Sequence, residues 1–202
     1  MLKIGITGGI GSGKSTVAKV IETLSYPVFY ADNEAKNILD SNPIVMKKLI
    51  EHFGGGIYRE SKIDRKKLAE LVFNNKENIE IVNNIVHPEV RNQFKKWAER
   101  QNKALVFNEA AILFETGTYK QYDKNIIVVA DQSTRIERVL KRDNISRDEV
   151  IKRINNQWKD EVKIPLADYI VKNDNQKPIL IQIENIIQDL IMIEGENQLI
   201  SS

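Results

Sequence analysis

The sequence predicts an α/β fold built on five strands with helices between them. Short apolar runs have the length of buried strands, and the longer segments between them carry apolar residues at helical spacing. The predicted strands are 2–7, 28–30, 104–109, 126–130 and 167–171. The first of these leads through a glycine-rich segment directly into a predicted helix, which is the order of elements at a phosphate-binding loop.

The glycine-rich segment 8–15 reads Gly-Gly-Ile-Gly-Ser-Gly-Lys-Ser and matches the pattern G-x-x-x-x-G-K-[S/T]. Glycines let successive backbone N–H groups face a phosphate chain, and the N-terminus of the next helix adds partial positive charge. Lys14 can then reach the β- and γ-phosphates, and the Ser15 hydroxyl can ligate Mg²⁺. The loop residues expected to bind the nucleotide are Gly9, Gly11, Ser12, Gly13, Lys14, Ser15 and Thr16.

Composition restricts the class of protein. The chain has 202 residues, 42% of them apolar, which suffices for one sizeable core or a core with a small inserted subdomain. A net charge of +2, from 30 basic and 28 acidic side chains, lacks the excess expected of a protein that coats nucleic acid. Because the chain has no cysteine, disulfides, thiolate metal sites and thiol chemistry are excluded.

We expect a cytoplasmic protein without a membrane-spanning segment. Met1 leads straight into the first strand, without the charged and apolar regions of a signal peptide. The most apolar late stretch, 179–193, is interrupted by polar residues such as Glu184 and Asp189, so we interpret it as an amphipathic helix. A polar tail is expected after Gly195.

Asp32 follows the second predicted strand, 28–30, after a single intervening residue. Ligands of open α/β sheets gather at the carboxyl ends of the strands, which is also where the phosphate loop lies. Asp32 is therefore a candidate catalytic carboxylate. The alternative is that it only caps a helix beginning near Asn33.

Helical patterns dominate the segment between the second and third strands. Asn42-Pro43 is a typical helix start, Asp64 can cap a further helix, and an apolar stripe continues on both sides of His87-Pro88. This is far more chain than one crossover needs, so we expect an inserted helical subdomain at about 41–100 that covers the acceptor substrate. His87 either contacts that substrate or belongs to a His-Pro pair that ends one helix and starts the next.

The third strand ends at Glu109, where a carboxylate can hold a Mg²⁺-bound water, although a structural hydrogen bond is the alternative. The fourth strand leads to a helix that carries Arg135, Arg138, Lys141 and Arg142. Ser146 to Glu149 form a capping box that opens a second helix. We interpret the two helices as a lid at about 135–160, and the alternative is a solvated basic face.

Taken together, these motifs resemble the dephospho-coenzyme A kinase family across nearly the whole chain. The phosphate loop alone is shared by many unrelated enzymes, whereas the order of the other motifs is specific. The matching segments are 7–16, 31–32, 53–54, 63–65 with Leu68, 72–73, 87–88, 109–115, Arg138, Arg142, Gln157, 167–168 and Asn173. The chain departs from the family pattern at Tyr30, Ala111 and Arg135, where the family has Asp, Pro and commonly Gln. The change at Tyr30 leaves Asp32 as the one carboxylate of its motif.

The resemblance implies a phosphate-loop kinase fold: one domain with a five-stranded parallel sheet, a core at about 1–40 and 101–202, a helical substrate subdomain and a lid. It also implies transfer of the γ-phosphoryl group of ATP to the ribose 3′-hydroxyl of dephospho-coenzyme A, the last step of coenzyme A synthesis. Its partners would be these small molecules, with no nucleic acid and no membrane, in a monomer or small homo-oligomer. The implied roles are catalysis by Asp32, Lys14 and Arg142, ATP binding by the loop with Arg138, Arg142 and Asn173, substrate binding by Asp32, Arg65 and His87, and Mg²⁺ binding by Ser15 and Glu109.

Three other classes of nucleotide-binding protein compete with this interpretation. A nucleoside monophosphate kinase shares the combination of loop, insert and lid. A GTPase switch needs D-x-x-G and N-K-x-D, and neither string occurs in the sequence. A non-catalytic nucleotide-binding regulator would leave Asp32 and the lid arginines without a task.

Overall fold

The computed structural model describes residues 1–72, 75–174 and 176–201. The strands are β1 (Leu2–Gly8), β2 (Val28–Tyr30), β3 (Tyr58–Arg59), β4 (Lys62–Ile63), β5 (Leu105–Glu109), β6 (Lys124–Val129) and β7 (Tyr169–Lys172). The helices are α1 (Lys14–Thr23), α2 (Ala31–Ser41), α3 (Pro43–Phe53), α4 (Arg65–Val72), α5 (Lys76–Ala98), α6 (Gln132–Asp143), α7 (Arg147–Asn155), α8 (Asp160–Lys163) and α9 (Ile179–Ser201). Phe73, part of the matched segment 72–73, lies outside the described residues.

Two compact units make up the chain: Met1–Phe29 with Gln101–Ser202, and Tyr30–Arg100. The first unit contains most of the main sheet, whose strand order is β2-β5-β1-β6-β7. β1 pairs in parallel with β5 on one side and β6 on the other, and β6 pairs in parallel with β7. This confirms the predicted fold class, a five-stranded parallel sheet flanked by helices.

β1 forms the centre of the sheet, and its apolar side chains fill the core. Ile4, Ile6 and the neighbouring Phe107 of β5 have no solvent exposure. Burial of each such side chain contributes about 1.5–3 kcal/mol, which explains why the strands appear as nearly continuous apolar runs. The pairing places Ile6 opposite Glu109 and Gly8 opposite Val128. The carboxyl ends of these strands therefore meet at the edge where the glycine-rich loop leaves β1.

The second unit is mainly helical. The Asn42 side chain caps α3 by accepting hydrogen bonds from the N–H groups of Ile44 and Val45, at 2.9 and 3.2 Å. Asp64 Oδ1 accepts from Lys67 N at 3.1 Å and so caps α4. Both caps agree with the sequence interpretation. The two-residue strands β3 and β4 pair in antiparallel fashion between the two helices, which the sequence analysis did not predict.

α5 runs without interruption through His87 and Pro88, so the interpretation that this pair separates two helices is wrong. Pro88 has no N–H to donate to the carbonyl of Asn84, and this costs one helical hydrogen bond. The apolar stripe compensates, because Ile85, Val86, Val90 and Phe94 are buried on both sides of the proline.

α9 also extends further than predicted, since it continues through Gly195 to Ser201 instead of ending in a polar tail. Apolar side chains in its first half, including Ile183 and Leu190, are fully buried, and the helix packs against α1 and β7 within the first unit. In the described part of the chain, no helix combines the length and apolar character that crossing a membrane requires.

Candidate active site

The loop between β1 and α1 has the tight geometry that its glycines predict. Gly11 and Gly13 have φ angles of +78° and +94°, which favour glycine. Ser12 N donates to Gly9 O at 3.1 Å and closes a turn, and Thr16 N donates to Gly13 O at 3.0 Å where α1 begins. A loop of this shape at a helix N-terminus is suited to binding phosphate.

The Lys14 side chain lies over the carbonyl groups of its own loop. Its ammonium donates to Gly8 O at 3.0 Å and to Gly9 O at 3.5 Å. These are neutral acceptors, and a charged phosphate oxygen forms a stronger hydrogen bond with an ammonium group. A bound phosphate can therefore replace these two carbonyl contacts.

Ser15 and Glu109 have the chemistry expected of a Mg²⁺ site. Ser15 lies exposed in the first turn of α1, and Glu109 is 5% exposed at the end of β5. Among the described residues, no group of three or more His, Asp or Glu side chains could hold a metal by itself. Mg²⁺ at a nucleotide site is usually bound by one or two protein oxygens, with phosphate oxygens and water completing the shell. A hydroxyl and a carboxylate fit that pattern.

Arg138 and Asn173 converge on the loop from two different elements. Asn173 is buried directly after β7, and its Nδ2 donates to Ser12 O at 2.8 Å. Arg138 Nη1 donates to the same carbonyl at 3.4 Å, and Nη2 donates to Asn173 O at 3.1 Å. A Cβ atom on Gly13 would lie only 2.0 Å from Asn173 Nδ2, so glycine is required at this contact.

α6 and α7 form a helical hairpin, and Arg142 lies near the C-terminal end of α6, where it pairs with a neighbouring residue of that hairpin. It is exposed and forms a two-point pair with Asp143, in which Nε–Oδ1 is 2.6 Å and Nη2–Oδ2 is 2.9 Å. Arg153 Nη1 also donates to Asp143, at 3.2 Å. The hydrogen bonds from Arg142 lower the pKa of the Asp143 carboxyl below its usual value.

Asp32 lies in the first turn of α2 and is exposed. The N-cap of that helix is Tyr30, and no side chain caps it. The alternative interpretation, that Asp32 only caps a helix, is therefore wrong: α2 begins two residues earlier than expected, because Ala31 is already helical. A carboxylate in the first turn is favoured by the positive end of the helix dipole.

His87 lies on α5, within electrostatic reach of Asp32. Burial lowers the pKa of its imidazole, the charge of Arg91 lowers it further, and Asp32 partly opposes both effects. α2 and α5 pack together, which places His87 close enough to Asp32 for their charges to interact. Arg91 was not among the residues predicted from the sequence, although it lies four residues after His87 and therefore on the same helix face.

Arg65 is held by contacts inside the second unit. Its Nη2 pairs with Asp40 Oδ2 at 2.6 Å and donates to Lys36 O at 3.3 Å. The other oxygen of Asp40 accepts from Ile63 N at 3.1 Å. These contacts tie α2 to β4 and α4, so Arg65 has a structural task as well as the substrate contact that the family resemblance implies.

Arg135 and Gln157 also contact the phosphate loop, and the sequence analysis gave them no role there. Arg135 is 8% exposed, and its Nε donates to Ile10 O at 2.9 Å. Gln157 Oε1 accepts from Ile10 N at 2.7 Å. One signal was available, because Arg135, Arg138 and Arg142 follow each other at spacings that place them on one face of α6. Arg135, Gln157 and Trp158 also line a cavity of about 830 Å³.

Comparisons with known proteins give one consistent result. A family profile described as dephospho-CoA kinase matches residues 2–178. A dephospho-CoA kinase of Bacteroides fragilis is 35% identical over 187 residues, which are 92% of this chain and 91% of that protein. The dephospho-CoA kinase structure from Campylobacter jejuni is 31% identical with a TM-score of 0.68, and the match covers 96% of this chain and 98% of that one. The structure of a Thermus thermophilus protein is 32% identical with a TM-score of 0.83, over 93% of this chain and 96% of that one.

Proposed function

The chain belongs to the dephospho-CoA kinase family, and from this premise we propose which of its residues carry out the reaction. It is a kinase that phosphorylates the ribose 3′-hydroxyl of dephospho-CoA to give CoA, the last step of CoA biosynthesis, with ATP as the phosphoryl donor.

The phosphate loop binds the triphosphate of ATP through its backbone N–H groups, and Lys14 binds the β- and γ-phosphates. This part rests on the position of the Lys14 ammonium, which lies 3.0 Å from Gly8 O, inside the loop that would hold the phosphates. Arg138 and Asn173 support the loop and contact the nucleotide. Because phosphoryl transfer needs positioning and charge stabilisation above all, these contacts supply most of the catalysis.

Ser15 and Glu109 would hold Mg²⁺, Ser15 directly and Glu109 directly or through a water molecule. When bound, the ion neutralises charge on the β- and γ-phosphate oxygens. The position of Glu109 at the end of β5 supports this role, because β5 pairs with β1 there and Glu109 lies opposite Ile6, close to where the phosphate loop leaves β1.

Asp32 orients the acceptor 3′-hydroxyl and receives its proton. The transition state of phosphoryl transfer is loose, so the hydroxyl needs alignment first and loses its proton late. A carboxylate is basic enough for this task. His87 donates a hydrogen bond to an acceptor-substrate oxygen, and its lowered pKa supports a neutral imidazole. Arg65 is a further substrate contact, and the helical residues 41–100 bind the acceptor.

Arg142 contacts the triphosphate only after the α6–α7 hairpin closes. Its present partner, Asp143, is also paired with Arg153, so Asp143 keeps a cation when Arg142 leaves. This second partner lowers the cost of releasing the Arg142 guanidinium towards a phosphate, and this supports a lid role.

The proposal is tested by measuring ADP formation with ATP, Mg²⁺ and single acceptors. We expect steady turnover with dephospho-CoA and none with AMP, CMP or GMP. The Lys14→Ala variant is the negative control, and it should remain folded but inactive. Comparable turnover with AMP would indicate a nucleoside monophosphate kinase, and ATP binding without turnover on any acceptor would indicate a regulator.

A further inference from the structure

Ile10, at the tip of the phosphate loop, is held by the α6–α7 hairpin and the residues that follow it. Its side chain packs against the hairpin core formed by Ile136, Val139 and Val150. Its N–H donates to Gln157 Oε1 at 2.7 Å, and its carbonyl accepts from Arg135 Nε at 2.9 Å. Both polar groups of the Ile10 backbone are thus satisfied by side chains from outside the loop.

Arg135 lies so close to the phosphate loop that two positions of the loop, Gly9 and Gly11, have no room for a side chain. A Cβ atom on Gly9 would lie 2.1 Å from Arg135 Nη2, and a Cβ atom on Gly11 would lie 2.5 Å from the Arg135 carbonyl oxygen. Side chains at either position would displace the guanidinium or the start of α6. The glycines on both sides of Ile10 therefore serve this contact as well as the turn itself.

Arg135 is held in turn by the residues that follow the hairpin. Its Nη1 lies 3.3 Å from Asp160 Oδ2, where α8 begins. Glu115 fixes this segment, because its Oε1 accepts from Trp158 N at 3.3 Å and pairs with the fully buried Lys163 at 2.7 Å. These contacts lead from Glu115 through residues 158–160 to Arg135 and Ile10 within the first unit. Arg135 and Lys163 are buried, and Glu115 and Asp160 are half-buried.

We propose that Arg135 and Gln157, which we call the loop clamp, are positioning residues that preset the phosphate loop for the triphosphate. Ile10 lies between two glycines, and a segment of this composition loses much conformational entropy when it is ordered. The clamp orders it before the nucleotide arrives, so ATP binding does not bear that cost. The clamp acts through the Ile10 backbone. This inference rests on the nucleotide site of the proposed function.

Two variants remove the clamp contacts while keeping similar side-chain length: Gln157→Met and Arg135→Met. Three quantities are measured in each: hydrogen exchange of the Ile10 amide, the Kd of ATP by calorimetry without acceptor, and kcat with dephospho-CoA. Loss of a hydrogen bond between neutral groups is worth about fivefold in an equilibrium constant, and loss of one from a charged group is worth about tenfold or more. We therefore expect faster Ile10 exchange in Gln157→Met, and a Kd of ATP that rises about fivefold in Gln157→Met and roughly tenfold in Arg135→Met.

Conservative variants and a control sharpen the test. Gln157→Glu keeps an acceptor oxygen for Ile10 N and should restore slow exchange. Arg147→Met removes an exposed arginine from the same hairpin and should change none of the three quantities. If Arg135→Met does not fold, Gln157→Met tests the clamp through the other side of the Ile10 peptide.

The inference is overturned if folded Gln157→Met and Arg135→Met keep Ile10 exchange and the Kd of ATP within twofold of wild type, even when their Tm falls. Failure of the proposed function looks different, because wild-type protein would then not turn over dephospho-CoA, whether or not it bound ATP. Ile10 exchange still reports on the clamp in that case, since it needs no ligand.

Discussion

The first turn of α2 carries two acidic residues, Asp32 and Glu34. The effect of removing a charge from this turn can therefore be measured separately from the effect of removing the catalytic carboxylate. Asp32→Asn keeps the shape and one acceptor oxygen but loses basicity, so we expect kcat to fall by roughly 10²–10⁴-fold, the usual scale for loss of a general base. The Kd of ATP should change little. The free energy of unfolding should fall by at most about 1 kcal/mol, the scale of one charge at a helix N-terminus.

Glu34→Gln is the matched control for this prediction, because it removes the same charge from the same turn. Turnover and unfolding are measured side by side for both variants. If Asp32→Asn and Glu34→Gln have equal, near-wild-type kcat values, Asp32 is not the proton acceptor.

At the scale of single elements, the α6–α7 hairpin carries two groups of arginines with different tasks. Arg135 and Arg138 already contact the phosphate loop, whereas Arg142 is paired with Asp143 near the far end of α6. If Arg142 reaches the triphosphate only on closure, Arg142→Ala should lower kcat more than it raises the Kd of ATP.

Arg153→Ala controls for the ion pair in this prediction, because it removes the second partner of Asp143 and leaves Arg142 in place. Both variants are compared by steady-state kinetics and by ATP titration. A loss in kcat/KM with intact kcat in Arg142→Ala would mean that Arg142 binds the ground state only.

α5 contains a proline where a helix normally tolerates none. Pro88→Ala restores the N–H that can donate to the Asn84 carbonyl and removes the ring clash, effects worth about 3 kcal/mol in a helix interior. Part of this gain is offset, because proline also restricts the unfolded chain by about 0.4–1 kcal/mol. We expect a net rise in the free energy of unfolding, measured by urea denaturation. A decrease would show that the helix has adapted its shape to the ring.

Across the whole molecule, the sequence predicted the elements whose signals are local. Asn42, Asp64 and Ser146 mark helix starts through their own side chains, and the strands are apolar because the sheet buries them. Features that depend on tertiary packing were missed. α5 continues past Pro88 because buried side chains on both sides hold it, and the turn between β3 and β4 uses positive φ at Glu60 and Ser61 without any glycine.

The same distinction applies to the candidate site. The loop motif specifies its own glycines and Lys14, so these positions could be read from the sequence. Arg135 and Gln157 lie 125 and 147 positions after Ile10 in the sequence, and no local pattern encodes contacts between residues so far apart.

The stability of the whole chain should depend on pH through His87. Burial and the Arg91 charge lower the pKa of its imidazole in the folded protein, whereas the unfolded chain titrates near the ordinary value of about 6.5. As the pH falls through about 6.5, the unfolded chain takes up a proton at His87 before the folded protein does. Protonation therefore favours the unfolded state, and the free energy of unfolding must fall as the pH drops from about 7.5 to 5.5. The carboxyls of Asp131, Asp143 and Glu149, whose pKa values are also lowered, lose their contribution only at more acidic pH.

We expect His87→Gln to flatten the slope of the free energy of unfolding against pH, and His52→Gln, which removes the other histidine, to retain it. Equal slopes in wild type and His87→Gln, measured by urea denaturation at each pH, would exclude His87 as the source.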